Sequence, residues 1–485
     1  MLVKGRLALG PLPPESVFGR PGRALRPYDG SALPAPARFG GRAETLDESG
    51  RMRYMRRMAG ERPSMLTRVV LATTIGTALE WYGFILFSTM SALVLNRLFF
   101  PPGDPVAATL ASFATFAVGF AVRPLGALVI GHYGDRLGRR RMLVITLVTV
   151  GLASALMGAL PTYETAGAWA PALLVVLRMI QGFGAGAEYA GASLTLAEFA
   201  TPERRGRYAA IPPAGAAVGA LLSAGAVAAV AALPPDDFLD WGWRIPFLVT
   251  LLVTATGFYI RVSVAESPMF EQVKRERGVA RAPAVELARG APRTLFLGVV
   301  SSIGPNVAAY IPVVFALAYL TEQLKVSRTV TLVGALIYFA CSAAVTPVAG
   351  ALGDVLGRRV VLGWAMVAAA AFAFPFFWLL DTGEAGYVSF AFGLSGLLLG
   401  AQLGAQAGFL ADLFTTRTRF SGVALSREVA AALAGGTAPL IAAALLEAAG
   451  GEPWPVVLYM SVLLLISALA VALIHGFGGH GQRGE

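Results

Sequence analysis

The chain has 485 residues, of which 56% are hydrophobic and only 14% charged, and it carries a formal net charge of +10. A soluble domain carries roughly 25% charged residues, so these charges are too few to cover a water-facing surface. One cysteine and three histidines exclude an intrachain disulfide, a cysteine metal cluster and an HExxH zinc site, and none of the three lysines follows a glycine as a phosphate-binding loop requires.

Residues 1–64 are rich in Arg, Pro and Gly and lack the apolar core of a cleavable signal peptide, so a disordered basic extension is expected there. Apolar segments then alternate with short polar turns at 67–96, 107–130, 142–160, 171–200, 208–233 and 243–261. A basic linker, 262–293, interrupts the series, and six more segments follow at 294–320, 329–352, 360–380, 387–411, 420–448 and 455–476. Each is long enough to cross a hydrocarbon core of about 30 Å as a helix. The pattern predicts an all-α integral membrane protein with twelve transmembrane helices in two pseudo-symmetric six-helix bundles, 65–261 and 294–476, and a short tail at 477–485.

Lysine and arginine set the expected orientation, because cytoplasmic loops hold the excess of positive charge. Of the 39 basic residues, 32 fall on the side that holds both termini and the central linker, whereas the opposite loops hold Arg97, Lys325 and Arg328 among many acids. Both termini are therefore expected in the cytoplasm of a multi-pass inner-membrane protein. The net charge reads as topology, and no nucleic-acid partner, metal or other cofactor is expected.

The loop after the second segment contains Gly131, Gly134, Asp135, Gly138, Arg139 and Arg140, and these recur 219 residues later as Gly350, Gly353, Asp354, Gly357, Arg358 and Arg359. A weaker echo follows segments four and ten, from Glu198 to Arg204 and Arg205, then from Asp412 to Arg417 and Arg419. Glycines allow close helix approach and tight turns, while the arginines hold the loops at an anionic leaflet. Asp135, Arg136, Arg139, Asp354, Arg358, Glu198, Arg205 and Arg427 are thus candidates for a gating network at that end.

Gly131 to Arg140 match the signature GxxxDRxGRR, by which the chain resembles the major facilitator superfamily from about 66 to 476. Leu79-Glu80-Trp81-Tyr82, Arg123-Pro124-Leu125-Gly126, Arg178-Met179-Ile180-Gln181-Gly182-Phe183 continuing to Glu188, Trp241 to Phe247, Glu266 to Phe270 and Gly435 to Pro439 resemble its metabolite:proton symporters. The resemblance implies the major facilitator fold and transport of a small molecule, without enzymatic chemistry, by a cavity that opens alternately to each side. One departure bears on mechanism: the first helix of that family usually reads EWYDF, with an aspartate thought to serve proton coupling, and this chain has Gly83 there.

An ionised side chain at bilayer depth is costly and usually faces the bundle interior. Glu80 and Glu188 are therefore candidate proton-coupling residues, and Arg123, Arg178 and Gln181 candidate substrate contacts. Arg178, Gln181 and Glu188 share one helical face. Asn306 with Tyr310, and Gln402 with Gln406, are each four apart and offer neutral hydrogen-bonding groups to a substrate near the midplane. A fixed Arg123–Glu188 pair that only sets helix packing is the competing structural reading. The expected function is proton-coupled symport of a small organic acid or zwitterion by a monomer in the lipid bilayer. A sugar or drug carrier, or an uncoupled facilitator or sensor suggested by Gly83, is the alternative.

Overall fold

The structure, a computed structural model, describes residues 70–474 apart from 72, 102–104, 138, 187, 264–286, 288 and 416–417. The extension 1–64, most of the linker 262–293 and the tail 477–485 lie outside the described residues. All the described elements are helical. In chain order the long ones are α1 (73–98), α2 (105–137, broken at Val122), α3 (Arg139–Gly158), α4 (169–199, broken at Gly186), α5 (Arg205–Ala231) and α6 (Arg244–Ser263). The second half contains α7 (Pro292–Gln323), α8 (Arg328–Leu356), α9 (Arg358–Asp381), α10 (Ala385–Leu413), α11 (Arg419–Ala448) and α12 (Trp454–Leu473).

Nine described helices are long and apolar enough to cross a membrane, or ten when the bent pair Pro235–Gly242 and Arg244–Tyr259 is taken as one span. Val144–Gly158 is a shorter apolar helix within α3, and α1 completes the set of twelve. Exposed Trp169, Trp241, Trp378, Tyr387 and Trp454 cluster where helices meet the acidic loops, while Trp364 and Tyr259 lie toward the arginine-rich end. Amphipathic rings favour the two membrane–water interfaces, so both rims of the bilayer are marked.

The repeated loop motif is more helical than a turn. Helix α8 runs through Asp354 to Leu356, and the chain reverses at Gly357, whose φ of +94° is one that L side chains rarely adopt. In the first half, α2 continues through the corresponding Asp135 to Leu137.

Internal symmetry is written into the packing. A Cβ at Gly182 would lie 1.9 Å from the carbonyl oxygen of Gly119, and one at Gly186 2.2 Å from that of Arg123. In the second half, Gly396 stands in the same way 2.3 Å from the Tyr338 oxygen and Gly400 2.7 Å from that of Ser342. The α2 positions recur in α8 at the 219-residue offset of the loop motif, and the α4 positions recur in α10 at 214, the offset from Glu198 to Asp412. Small residues let the backbones of each pair approach closely, as membrane helices do where packing drives association.

The halves meet along α5 with α8, α2 with α11, and α1 with α7. Helices break at this interface. Pro124 lacks an N–H and restarts α2 after Val122, which places Arg123 at the break, and Pro305 and Pro312 loosen α7 around Tyr310. Single π-turns occupy Ser91–Leu95 of α1, Ile311–Phe315 of α7 and Ala431–Gly435 of α11. Such interruptions recur at functional sites in helices.

Candidate substrate and coupling site

Among the described residues the buried charged side chains are Arg123, Arg178, Arg427, Glu80, Glu188 and Glu428, three of each sign. They come from α1, α2, α4 and α11, so both halves contribute. A buried charge is tolerated only where partners or dipoles replace water, and the three arginines find these in different ways.

Arg123 of α2 pairs with Glu428 of α11 in the other half. Its Nε donates to Glu428 Oε2 at 2.5 Å and its Nη2 to Oε1 at 3.2 Å, a bidentate fork with both side chains 2% exposed. The rings of Phe84 and Phe120 lie 4.9 and 5.3 Å from this guanidinium, and Glu80 is within electrostatic reach of it. The sequence-based pairing of Arg123 with Glu188 is therefore corrected: Glu428 occupies that role. Glu188 instead accepts from Thr146 Oγ1 at 3.5 Å and begins the second half of broken α4, where the N-terminal helix dipole favours a carboxylate.

Arg178 has no carboxylate partner among the described residues. Its Nη1 donates to Gln181 Oε1, Gln181 Nε2 donates to Ser154 Oγ at 2.6 Å, and Ser154 Oγ donates to the Val150 carbonyl at 2.7 Å. Its Nε and Nη2 are buried without hydrogen-bond partners. The guanidinium is ringed by Phe87, Phe84, Phe116 and Phe120 at 4.3, 4.6, 5.1 and 5.7 Å, so cation–π attraction replaces part of the lost hydration. Gly83 belongs to the same cluster. A Cβ there would lie 2.7 Å from Ser154 Oγ and 3.4 Å from Gln181 Nε2, so a neutral Gln–Ser relay fills the space beside the position where the family usually has aspartate.

Arg427 also departs from expectation. Instead of joining Asp354 in a loop network, it donates to Gln406 Oε1 at 3.0 Å and lies over the Tyr189 ring at 3.6 Å. It sits two turns inside α11, and its long side chain reaches the interface between the halves. It lines a cavity of about 40 Å³ together with Trp81, Tyr189, Asn306, Tyr310 and Ser342. That volume holds water but no organic acid.

Of the expected substrate contacts, Asn306 and Tyr310 line this cavity, and Gln406 orients Arg427. Gln402 is buried outside the lining and donates to the Leu398 carbonyl at 3.2 Å. Arg123, Arg178 and Gln181 lie outside the lining, next to Phe84, Phe120 and Tyr310. Ser154, Tyr189 and the four-phenylalanine ring were missed as site residues. The spacings Phe84–Phe87 and Phe116–Phe120 are those of one helical face, and were the available signal.

Contacts close both ends of the interface. At the arginine-rich end, Asp354 accepts from the backbone N–H groups of Gly206 and Arg207 at 2.8 and 2.9 Å and from Arg358 Nη2 at 2.7 Å. Arg358 also donates to Asp412, and Arg205 approaches Asp412 at 3.9 Å. Asp354, Arg358 and Arg205 are thus brought together, whereas the side chains of Asp135, Arg136, Arg139 and Glu198 lie outside the described residues. At the acidic end, Asn96 Nδ2 and Thr109 Oγ1 of the first half donate to Glu322 of the second at 2.9 and 3.3 Å.

Known proteins share both this sequence and this architecture. Residues 69–287 match the family described as Sugar (and other) transporter. The chain is 37% identical over 415 residues to the shikimate transporter of Escherichia coli (strain K12), covering 85% of this chain and 95% of that one. The chain belongs to the major facilitator superfamily. It is also 34% identical over 425 residues to the proline/betaine transporter of Escherichia coli (strain K12), with 85% and 83% of the two chains covered. The crystal structure of a D-xylose-proton symporter shares its fold at a TM-score of 0.67 and 19% identity, covering 86% of this chain and 99% of that one. The transporter is thus a membrane protein that moves small organic metabolites by secondary active transport, and it is not an enzyme.

Proposed function

We propose that this transporter imports a small organic acid together with protons, by rocking of the bundles 65–261 and 294–476 about the buried charge layer. The carrying observation is Arg178, a desolvated guanidinium with two unpartnered nitrogens and no carboxylate among the described residues. A substrate carboxylate supplies the missing acceptor, and Arg427, held by Gln406 at the central cavity, offers a second cationic contact beside Asn306 and Tyr310. The named substrates of the relatives support this class, since shikimate, proline and betaine all bear a carboxylate. Glu80 and Glu188 are the first candidates for the coupling proton, because burial and neighbouring arginines pull a carboxyl's affinity for protons in opposite directions.

The arginine-rich end faces the cytoplasm, with both termini on that side of the inner membrane, and the chain works as a monomer. Asp354, Arg358, Arg205 and Asp412 then form the inner gate and Asn96, Thr109 and Glu322 the outer one. A second reading, an uncoupled facilitator, draws on the neutral Gln181–Ser154 relay beside Gly83.

Uptake into proteoliposomes separates the two. With membrane potential clamped and external pH constant, labelled shikimate, proline and glycine betaine are offered with and without an inward proton gradient. Symport predicts accumulation of at least one of them above equilibrium only with the gradient. Equal, non-concentrative entry in both conditions would establish the facilitator.

A further inference from the structure

The pair between Arg123 and Glu428 joins α2 of one half to α11 of the other at the depth of the central cavity. Its two hydrogen bonds, 2.5 and 3.2 Å long, form in a site where both partners are 2% exposed. Severing such a pair by removing one charge is strongly unfavourable, because the other is left buried and unpaired. The contact is therefore an all-or-none fastening of the two halves.

With all three glutamates ionised, the buried layer is electrically neutral among the described residues. An entering carboxylate adds one negative charge to a space closed at both ends. One proton on one of the glutamates restores neutrality. The choice of glutamate decides the mechanical result, and Glu428 is bonded to an arginine of the opposite half.

We propose that Glu428 is a coupling residue of this transporter, ionised and bound to Arg123 in the empty closed state, and protonated when Arg123 turns to the substrate carboxylate. The proton comes from water at the outer end, rests on a Glu428 carboxyl oxygen during the crossing, and leaves to water at the inner end, which lets the pair with Arg123 re-form. This deepens the symport reading, with Glu428 in place of Glu80 or Glu188 as the carrier of the coupling proton, and rests on it. Glu428 is faced by Arg123 from α2, by Tyr310 from α7 and by Tyr189 from α4, with Arg427 beside it on α11. Glu188 precedes Tyr189 on α4, α10 brings the neutral Gln406 to Arg427, and Glu80 of α1 and Arg178 of α4 act on the same Arg123. Arg123, through its two hydrogen bonds, and the adjacent Arg427 are the cations next to Glu428, and an anion that takes Arg123 removes the bonded one.

A test that needs no substrate reads the distance between the halves. Spin labels are placed at Arg204→Cys with Val355→Cys for one end, and at Glu164→Cys with Glu384→Cys for the other, in a Cys341→Ser background of the full chain. Pulsed electron resonance from pH 5 to 9 is expected to show two distance populations in the otherwise unaltered protein. Their ratio changes by up to about tenfold per pH unit around the transition, the limit for one linked proton. Glu428→Gln is expected to fix the low-pH population at every pH, and Glu428→Asp, which keeps the charge, to retain the transition at a shifted midpoint. An unaltered protein without pH-dependent distances, or a Glu428→Gln or Glu428→Asp variant that follows pH as the unaltered protein does, overturns the proposal. Failure of the symport reading shows separately, as uptake indifferent to a proton gradient while the distances still respond to pH.

Discussion

The guanidinium of Arg178 hydrogen-bonds the side-chain amide of Gln181 one turn along α4, and no carboxylate approaches it among the described residues. A structural arginine in a membrane interior would be neutralised; this one is held open by an uncharged partner and four aromatic rings. Replacing it with an apolar residue of similar length should relieve the desolvated charge. Arg178→Met is expected to raise thermal stability, because it removes a buried charge whose hydrogen-bond partner is neutral. The same variant should lose carboxylate binding by about 2 kcal/mol or more. Scanning calorimetry and equilibrium binding on the same preparation check both signs.

Gly83 provides a converse test. A side chain there meets Ser154 Oγ first, so Gly83→Asp combined with Ser154→Ala makes room for a carboxylate beside Gln181 and Arg178. An internal counter-ion competes with the substrate's own, and affinity for an organic anion should fall by about tenfold, or about 1.4 kcal/mol. Affinity for a neutral analogue should be unaffected. Isothermal titration of the double variant against Ser154→Ala measures the difference.

Helix contacts at Gly182 and Gly396 should be equally intolerant of a methyl group, since each faces a carbonyl oxygen of the neighbouring helix at 1.9 or 2.3 Å from a Cβ. Gly182→Ala and Gly396→Ala are expected to cost about 1–3 kcal/mol each through overpacking. Gly386→Ala, in α10 with nothing within 4 Å, is the control and should be neutral or slightly stabilising. Thermal melts of the three variants suffice.

At the arginine-rich end, Asp354→Asn keeps an oxygen acceptor for only one of the Gly206 and Arg207 N–H groups, which bond separate carboxylate oxygens, and removes the charge that holds Arg358. Partly exposed pairs are worth about 0–1 kcal/mol each, so the end should open a few-fold more often without unfolding. Ala210 is buried at this closure, where a Cβ on Gly350 would touch it. Thiol labelling of Ala210→Cys, in the Cys341→Ser background, should accelerate correspondingly in the Asp354→Asn variant.

The helices and their repetition were legible in the sequence because both are local properties. Apolar segments of membrane length lie where the helices are, and the Gly-Asp-Gly-Arg-Arg pattern marks equivalent ends of α2 and α8. The α2–α4 and α8–α10 contacts at Gly182, Gly186, Gly396 and Gly400 were not read from the sequence and appear only in the packing. Partner choice was not legible. Arg123 and Glu428 are 305 residues apart, and nothing in spacing along one helix says which of three glutamates a tertiary contact selects. Arg427 was misplaced for a related reason: its position near the start of α11 suggests the membrane edge, whereas its reach toward Tyr189 depends on how α11 crosses α4. The gap beside Arg178 was visible as Gly83, but its filling by Ser154 from α3 needed coordinates.

The balance of three buried arginines against three buried glutamates among the described residues makes the count of protons taken up on binding the most direct measurement. Calorimetric titration of the purified transporter in buffers of different ionisation enthalpy gives that count. A monocarboxylate such as shikimate should draw in about one proton per molecule bound, and a zwitterion such as glycine betaine about none. Binding of shikimate with no proton uptake, or with the same uptake as glycine betaine, would contradict the account.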